Sequence, residues 1–358
     1  MTDRTDRLRA AVGALGADAA IVTHAANRHY LSGFPAADHA PDETAGVLIV
    51  TEHEATLFTS PTNHPWAKSA VRVGIDAAPW ERPWPAFVAT QLQKRDVRRV
   101  VFEDRAFTVA DFRALQEAAP EIELIPAGDA IHSLRAVKDG EELAAISRAA
   151  AITDAAFMQA TAGLEPGVTE RELAWQIELA MRALGAQRPA FPIIVAAGPH
   201  GARPHHEPAD RPIAAGEPIV IDMGAAVDGY AADLTRTIVV GEPTSTFQDR
   251  YNSVLEAQRV ALSRIRPGMH GVQADALARD ALMAAGLGDQ FIHGLGHGVG
   301  LLIHEAPSLG KSSDDVLVPG HIVTVEPGVY FEGWGGIRIE DLCAVTNTGL
   351  EILSAAPK

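Results

Sequence analysis

The sequence predicts an α/β (α+β) protein in two parts: a small α/β domain over residues 1–133, then a larger domain over 134–358 built from two similar halves. Three observations predict it. Strand-like runs alternate with amphipathic helical stretches in the first third of the chain. The pattern gives way to a long helix after Leu134-Arg-Ala-Val-Lys-Asp139. Beyond that point the chain repeats its own punctuation when compared with a copy of itself shifted by about one hundred positions.

In the first part the strand-like runs include Ala45-Gly-Val-Leu-Ile-Val50, Arg99-Val-Val-Phe102 and Ile122-Glu-Leu-Ile-Pro126, each short and rich in β-branched residues. At the junction, Asp139 and Glu142 have the spacing of a helix cap, and Leu143, Ile146, Ala150, Thr153 and Phe157 fall on one helical stripe. A long helix therefore opens the second part.

The repeat then shows itself in spacing rather than identity. Pro166-Gly167 precedes a helical stretch ending at Gly185, and Pro267-Gly268 precedes one ending at Gly286, at the same interval. Gly216-Glu-Pro-Ile-Val-Ile-Asp222 parallels Gly320-His-Ile-Val-Thr-Val-Glu326, each placing an acid at the same offset at the end of an apolar strand. Asp233-Leu-Thr-Arg236 and Arg338-Ile-Glu340 add a second acid to each half. Two copies are too few for a solenoid, so the halves should pack about a pseudo-twofold axis and bring equivalent acids together.

Strand alternation puts Thr324 with Glu326 and Arg338 with Glu340 on one face, and Val323, Val325, Ile337 and Ile339 on the other. A lone acid in such a strand is more often neutralised by a salt bridge. Four converging acids repel one another strongly and need compensating charge, which two divalent cations supply. In Phe291-Ile-His-Gly-Leu-Gly-His-Gly-Val-Gly300, His293 and His297 stand among four glycines, residues that permit close backbone approach around a metal or substrate. His205, next to His206, and His304 are further neutral groups suited to a carbonyl and its developing oxyanion; spacing alone does not fix their roles.

Composition narrows the classes. Hydrophobic residues make up 47% and charged residues 21%, enough to bury a core and too apolar for a disordered chain. The formal net charge of −16 is spread along the sequence, against a nucleic-acid or anionic-membrane partner. The apolar runs are shorter than a bilayer span and the first residues lack a signal peptide's apolar region, so a cytoplasmic protein is expected. Cys343 is the single cysteine, which excludes an internal disulfide and a cysteine-based metal cluster.

Taken together these motifs resemble the pita-bread metallopeptidases, the family of Xaa-Pro aminopeptidase and Xaa-Pro dipeptidase (prolidase). The resemblance runs from Asn27-Arg-His-Tyr-Leu-Ser-Gly-Phe34, similar to a creatinase-like N-terminal domain, through Arg135-Ala-Val-Lys138. It continues over Ile221-Asp-Met-Gly224, Ala232-Asp-Leu-Thr-Arg-Thr237, His293-Gly-Leu-Gly-His297, Val325-Glu-Pro-Gly328 and Arg338-Ile-Glu-Asp341. It implies a curved, mainly antiparallel pita-bread sheet in residues 134–358.

It further implies that Asp222, Asp233, His297, Glu326 and Glu340 hold two metal ions. In that pattern Asp233 and Glu340 bridge the ions, Asp222 completes one site, and His297 with Glu326 completes the other. His205, His293 and His304 would contact substrate and the tetrahedral intermediate, Arg338 would orient a ligand carboxylate, and Glu326 would shuttle the proton. The implied activity is hydrolysis of the Xaa-Pro amide bond of a peptide or dipeptide by a metal-bridging hydroxide, in a homodimer. Four oxygen donors and one imidazole favour Mn2+, with Co2+ or Zn2+ as alternatives. A creatinase-like C–N hydrolase and a non-catalytic pita-bread binding module are the other readings of this fold, and an intact ligand set argues against both.

Overall fold

A computed structural model describes residues 3–40 and 42–358. The chain forms two compact units that divide between Arg135 and Ala136. In the first, six strands make one mixed sheet: β1 (Ala19–Val22), β2 (Gly46–Thr51), β3 (Ala55–Thr59), β4 (Asp76–Pro79), β5 (Arg99–Phe102) and β6 (Glu123–Pro126). Their order is β4-β3-β2-β1-β5-β6. Among the described residues five α-helices accompany them: α1 (Arg4–Ala14), α2 (Ala25–Ser32), α3 (His64–Ala70), α4 (Trp84–Gln93) and α5 (Val109–Ala118). Ile21, Val47, Ile49, Val88, Leu92, Val100 and Leu115 join in one buried cluster.

The second unit carries the duplication. Each half begins with a helix pair, α6 (Gly140–Thr161) with α7 (Glu170–Ala183), then α8 (Ser245–Arg264) with α9 (Gly271–Ala284). Asp139 caps α6 and exchanges bonds with Glu142, and Ile146, Ala150, Thr153 and Phe157 are buried along it, as the cap spacing and stripe predicted. The matching Pro-Gly pairs have a physical reason. Gly167 and Gly268 enter the second helix of each pair with φ of +101° and +88°, and Gly185 and Gly286 leave it with φ of +103° and +74°. These are left-handed conformations that cost a residue with a Cβ.

The strands of this unit are β7 (Arg188–Pro189), β8 (Ile194–Ala197), β9 (Pro218–Met223), β10 (Ala225–Val227), β11 (Tyr230–Ala231) and β12 (Leu234–Val239) in the first half. The second half contributes β13 (Gly296–Gly298), β14 (Glu305–Leu309), β15 (Ile322–Val325), β16 (Gly328–Phe331), β17 (Gly335–Arg338), β18 (Asp341–Val345) and β19 (Leu350–Ile352). All their pairings are antiparallel, in sheets ordered β11-β10-β7, β12-β9-β8, β14-β13-β15-β18-β19 and β16-β17.

Alternation decides what each strand presents. Ile219, Ile221 and Met223 of β9 pack on Leu173, Ile177 and Met181 of α7. Val323 and Val325 of β15, with Ile337 and Ile339, pack on Val254, Ala257, Ala274 and Leu282 of α8 and α9. Each such aliphatic side chain contributes about 1.5–3 kcal/mol by leaving water, so the register that points Asp222 and Glu326 the other way is strongly fixed. The halves meet where β12 runs beside residues 338–340. The Thr237 hydroxyl donates to the Arg338 carbonyl at 2.9 Å and the Glu340 amide donates to the Thr235 carbonyl at 3.1 Å.

Candidate metal centre

Five elements bring the four acids and His297 to one cavity of about 490 Å³, whose lining also includes His205, His293, His304 and Arg338. Asp222 comes from β9, Asp233 from the turn before β12, His297 from β13, Glu326 from the end of β15 and Glu340 from the link between β17 and β18. Ligand atoms of Asp233, His297 and Glu340 all lie within 4.8 Å of one another. His297 Nε2 stands 3.3 Å from Glu326 Oε1 and 3.6 Å from Asp233 Oδ2. Asp222 reaches the group from the side, with its Oδ2 accepting from Arg338 Nη2 at 2.7 Å.

Close packing sets these positions. A Cβ on Gly296 would stand 2.1 Å from the Thr324 carbonyl oxygen and one on Gly298 2.2 Å from that of Ala306, so β13 approaches its neighbours as only glycine allows. The His297 amide donates to the Thr324 hydroxyl at 3.0 Å, and that hydroxyl donates to Glu326 Oε1 at 3.0 Å. The His297 ring is oriented by Nδ1–H donating to the Gly298 carbonyl at 3.1 Å, leaving Nε2 toward the acids.

The electrostatics show how uncomfortable this grouping is. Burial, then the charge of Glu340, pushes Asp233 well above the usual carboxylate range. Burial, then Glu326, does the same to Glu340. Asp222 is raised by burial despite Arg338. Burial also opposes ionisation of Glu326, but the hydrogen bond and charge of His297, with His293 and Arg338, together outweigh it and hold Glu326 down to about 2. His297 in turn is raised, because Glu326 overcomes the effect of burial. Glu340 Oε1 and Asp222 Oδ1 are buried and have no hydrogen-bond partner within the protein. Buried anionic oxygens without donors, facing an imidazole in the same cavity, fit a pair of hard divalent cations.

The histidines divide. His304 stacks edge-on against His297 with ring centroids 4.3 Å apart, and burial lowers its proton affinity, so it lines the cavity as neutral imidazole. His205 is exposed toward the same cavity, while its neighbour His206 turns inward to Glu170. His293 donates from Nδ1 to the Gly294 carbonyl at 2.7 Å and accepts at Nε2 from the Tyr330 hydroxyl at 2.9 Å, so both ring nitrogens are engaged within the protein.

Tyr330 and Thr235 are the functional neighbours that sequence reasoning missed. The Tyr330 hydroxyl accepts from Arg338 Nη1 at 2.7 Å while donating to His293, and burial pushes its phenol up to about 12. The Thr235 hydroxyl donates to Glu340 Oε2 at 2.7 Å and accepts from Arg338 Nε at 3.1 Å. A signal for Tyr330 existed: alternation carried past Pro327 puts Gly328 and Tyr330 on the face of Glu326. Gly328 is required there, since a Cβ would come 2.7 Å from the Tyr330 oxygen.

Such a concentration of buried carboxylates around imidazole, drawn from two repeated halves, is the architecture of a metallohydrolase. Comparison with known proteins narrows the class. Residues 144–347 match the model of metallopeptidase family M24, and residues 4–137 match the creatinase/prolidase N-terminal domain. The chain belongs to metallopeptidase family M24. It is 33% identical to the Xaa-Pro dipeptidase of Pyrococcus horikoshii over 94% of this chain and 92% of that protein. The Xaa-Pro dipeptidase structure from Bacillus anthracis superposes with a TM-score of 0.93 at 38% identity, covering 99% of this chain and 98% of the other. The X-Pro aminopeptidase structure from Thermotoga maritima superposes at 0.89 with 31% identity, covering 99% and 98%.

Proposed function

We propose that this protein is a dinuclear metal-dependent exopeptidase that hydrolyses the Xaa-Pro amide bond. The observation that carries the proposal is the trio Asp233, His297 and Glu340 within 4.8 Å of one another, beside a Glu340 oxygen with no donor. Asp222, Asp233, His297, Glu326 and Glu340 would hold two divalent ions. Their all-oxygen and imidazole character favours manganese, with cobalt or zinc as substitutes. Two such ions would lower the pKa of bound water toward neutrality and polarise the scissile carbonyl.

The rest of the chemistry belongs to the chain. Glu326, a carboxylate beside His297, takes the proton of the attacking water and returns it to the proline nitrogen, which leaves as a secondary amine. His205 and His304 present imidazole N–H groups toward the developing oxyanion. Arg338 holds Asp222 in orientation while Thr235 and Tyr330 hold Arg338. Phe191, Ile292, Ile303 and Leu309 supply apolar wall for a pyrrolidine ring. An Xaa-Pro bond has no amide N–H and a fixed bend, so a site shaped for it serves where general peptidases fail.

We assign the catalytic role to residues 134–358, in a cytoplasmic homodimer. No helix among the described residues is long and apolar enough to cross a membrane. The net charge of −16 is unsuited to nucleic acid. Relatives of both specificities superpose on this chain, so the test is a comparison of substrates with added manganese. Rapid cleavage of Ala-Pro with slow cleavage of Ala-Pro-Ala makes it a dipeptidase, and the reverse makes it an aminopeptidase. Absence of manganese-dependent hydrolysis of either rejects the proposal.

A further inference from the structure

A second constellation of acid and histidines lies outside the metal centre. Glu170, the first residue of α7, is completely buried. Its Oε1 accepts from the Ala197 amide at 2.8 Å and from His200 Nδ1 at 3.0 Å. Its Oε2 accepts from His206 Nε2 at 2.9 Å and from the Ala209 amide at 3.0 Å. Each oxygen thus receives a backbone donor and an imidazole donor, and His200 Nδ1 also lies 3.1 Å from Oε2, so the lone pairs are filled. A cation there would have to break those bonds, so the cluster is a clamp rather than an ion site.

What it clamps is the segment between β8 and β9 that carries His205. The amides of Glu170 and Arg171 donate to the Arg211 and Ala209 carbonyls at 3.2 and 3.1 Å, so α7 grips the segment through backbone as well as side chain. On its other side the segment lies against β17, where a Cβ on Gly201 would stand 2.8 Å from the Gly336 nitrogen. Consecutive residues then point in opposite directions: His206 inward to Glu170, His205 toward the cavity. The adjoining Pro204 carbonyl lies 3.5 Å from both terminal nitrogens of Arg338.

We infer that Glu170, acting through His200 and His206, is a positioning residue that fixes where His205 meets the substrate. The inference rests on the peptidase reading, in which His205 faces the scissile carbonyl. Glu170 touches no reacting atom. Replacing it with glutamine keeps the shape but turns an NH2 group toward two donors, which should release one side of the segment and displace His205.

The test is a double-mutant cycle on the manganese-loaded full chain, with Ala-Pro and Ala-Pro-Ala as substrates. Glu170→Gln should lower kcat/KM by about 10-fold or more in the wild-type background and by less than about 2-fold in a His205→Ala background, because coupled positions do not add. Equal losses in the two backgrounds, or no loss, overturn the inference. If Glu170→Gln does not fold, His206→Ala and His206→Gln replace it. The glutamine amide nitrogen reaches the place of Nε2 and should restore the rate that alanine loses, and equal impairment in both contradicts the clamp. Ring 15N resonances of His205 report its surroundings without turnover. An unmoved His205 signal in Glu170→Gln overturns the clamp even in a protein that cleaves neither peptide, a result that would separately reject the peptidase reading.

Discussion

Replacing Thr235 with valine removes one hydroxyl from the structure while keeping its volume. Thr235 is completely buried, and its hydroxyl serves two charged groups, donating to Glu340 Oε2 at 2.7 Å and accepting from Arg338 Nε at 3.1 Å. In the valine variant both groups stay buried, at 1% and 3% exposure, and each loses a partner. Hydrogen bonds to charged groups contribute about 1.5–3 kcal/mol each. Because one hydroxyl serves both, the losses overlap, and the expected destabilisation is about 3 kcal/mol. For a unit of this size that is a fall in Tm of about 6–12 °C. Thr235→Ser, which keeps the hydroxyl, should lose only about 1 kcal/mol of methyl burial. The assay is thermal melting in the presence of a chelator, followed by turnover of an Xaa-Pro peptide with manganese. There the valine variant should lose about 10- to 100-fold in kcat, because Arg338 and Glu340 no longer hold their orientation. A Tm within 1 °C of wild type, with normal turnover, would refute the reasoning.

Two further outcomes follow from the same geometry. Glu326→Gln should abolish turnover while preserving the fold, checked by circular dichroism and steady-state kinetics; full activity would remove the proton-transfer role. His321, buried beside Lys138, is held down to about 4 by burial and then by that lysine, and its Nδ1 accepts from the Val318 amide at 3.3 Å. The unfolded chain therefore takes up the proton first, so this group's contribution is intact above pH 6.5 and is lost as pH falls toward 4. Melting curves should decline more steeply over that window in wild type than in His321→Gln, and parallel curves would show that His321 does not carry the effect.

The parts of this protein written in local pattern were legible in the sequence, and those made by distant contacts were not. Asp139 and Glu142 announce α6 because a capping box lies within four residues, and the Pro-Gly pairs at 166–167 and 267–268 mark equivalent helices because a left-handed turn needs glycine at that spot. The central strand β1 was harder to see. It has four residues, two of them alanine, and exists because β2 and β5 pair on either side of it. The acids at 222, 233, 326 and 340 stood out as charges in apolar strands. Their partners did not, since Thr235 meets Glu340 and Glu170 meets His206 only once strands and helices far apart in sequence have packed. The adjacent histidines at 205 and 206 show the limit most clearly: spacing could not say which would face the cavity, the family resemblance pointed to His205, and the physical reason is the buried carboxylate of Glu170, which holds His206 inward.

The central claim is that carboxylates from both repeated halves hold a pair of divalent cations. Elemental analysis of protein loaded with manganese and then desalted tests this most directly. About two ions per chain are expected in wild type, with loss of both in Asp233→Asn and Glu340→Gln and retention of about one in His297→Ala. Manganese content unchanged by Asp233→Asn and Glu340→Gln would contradict the account.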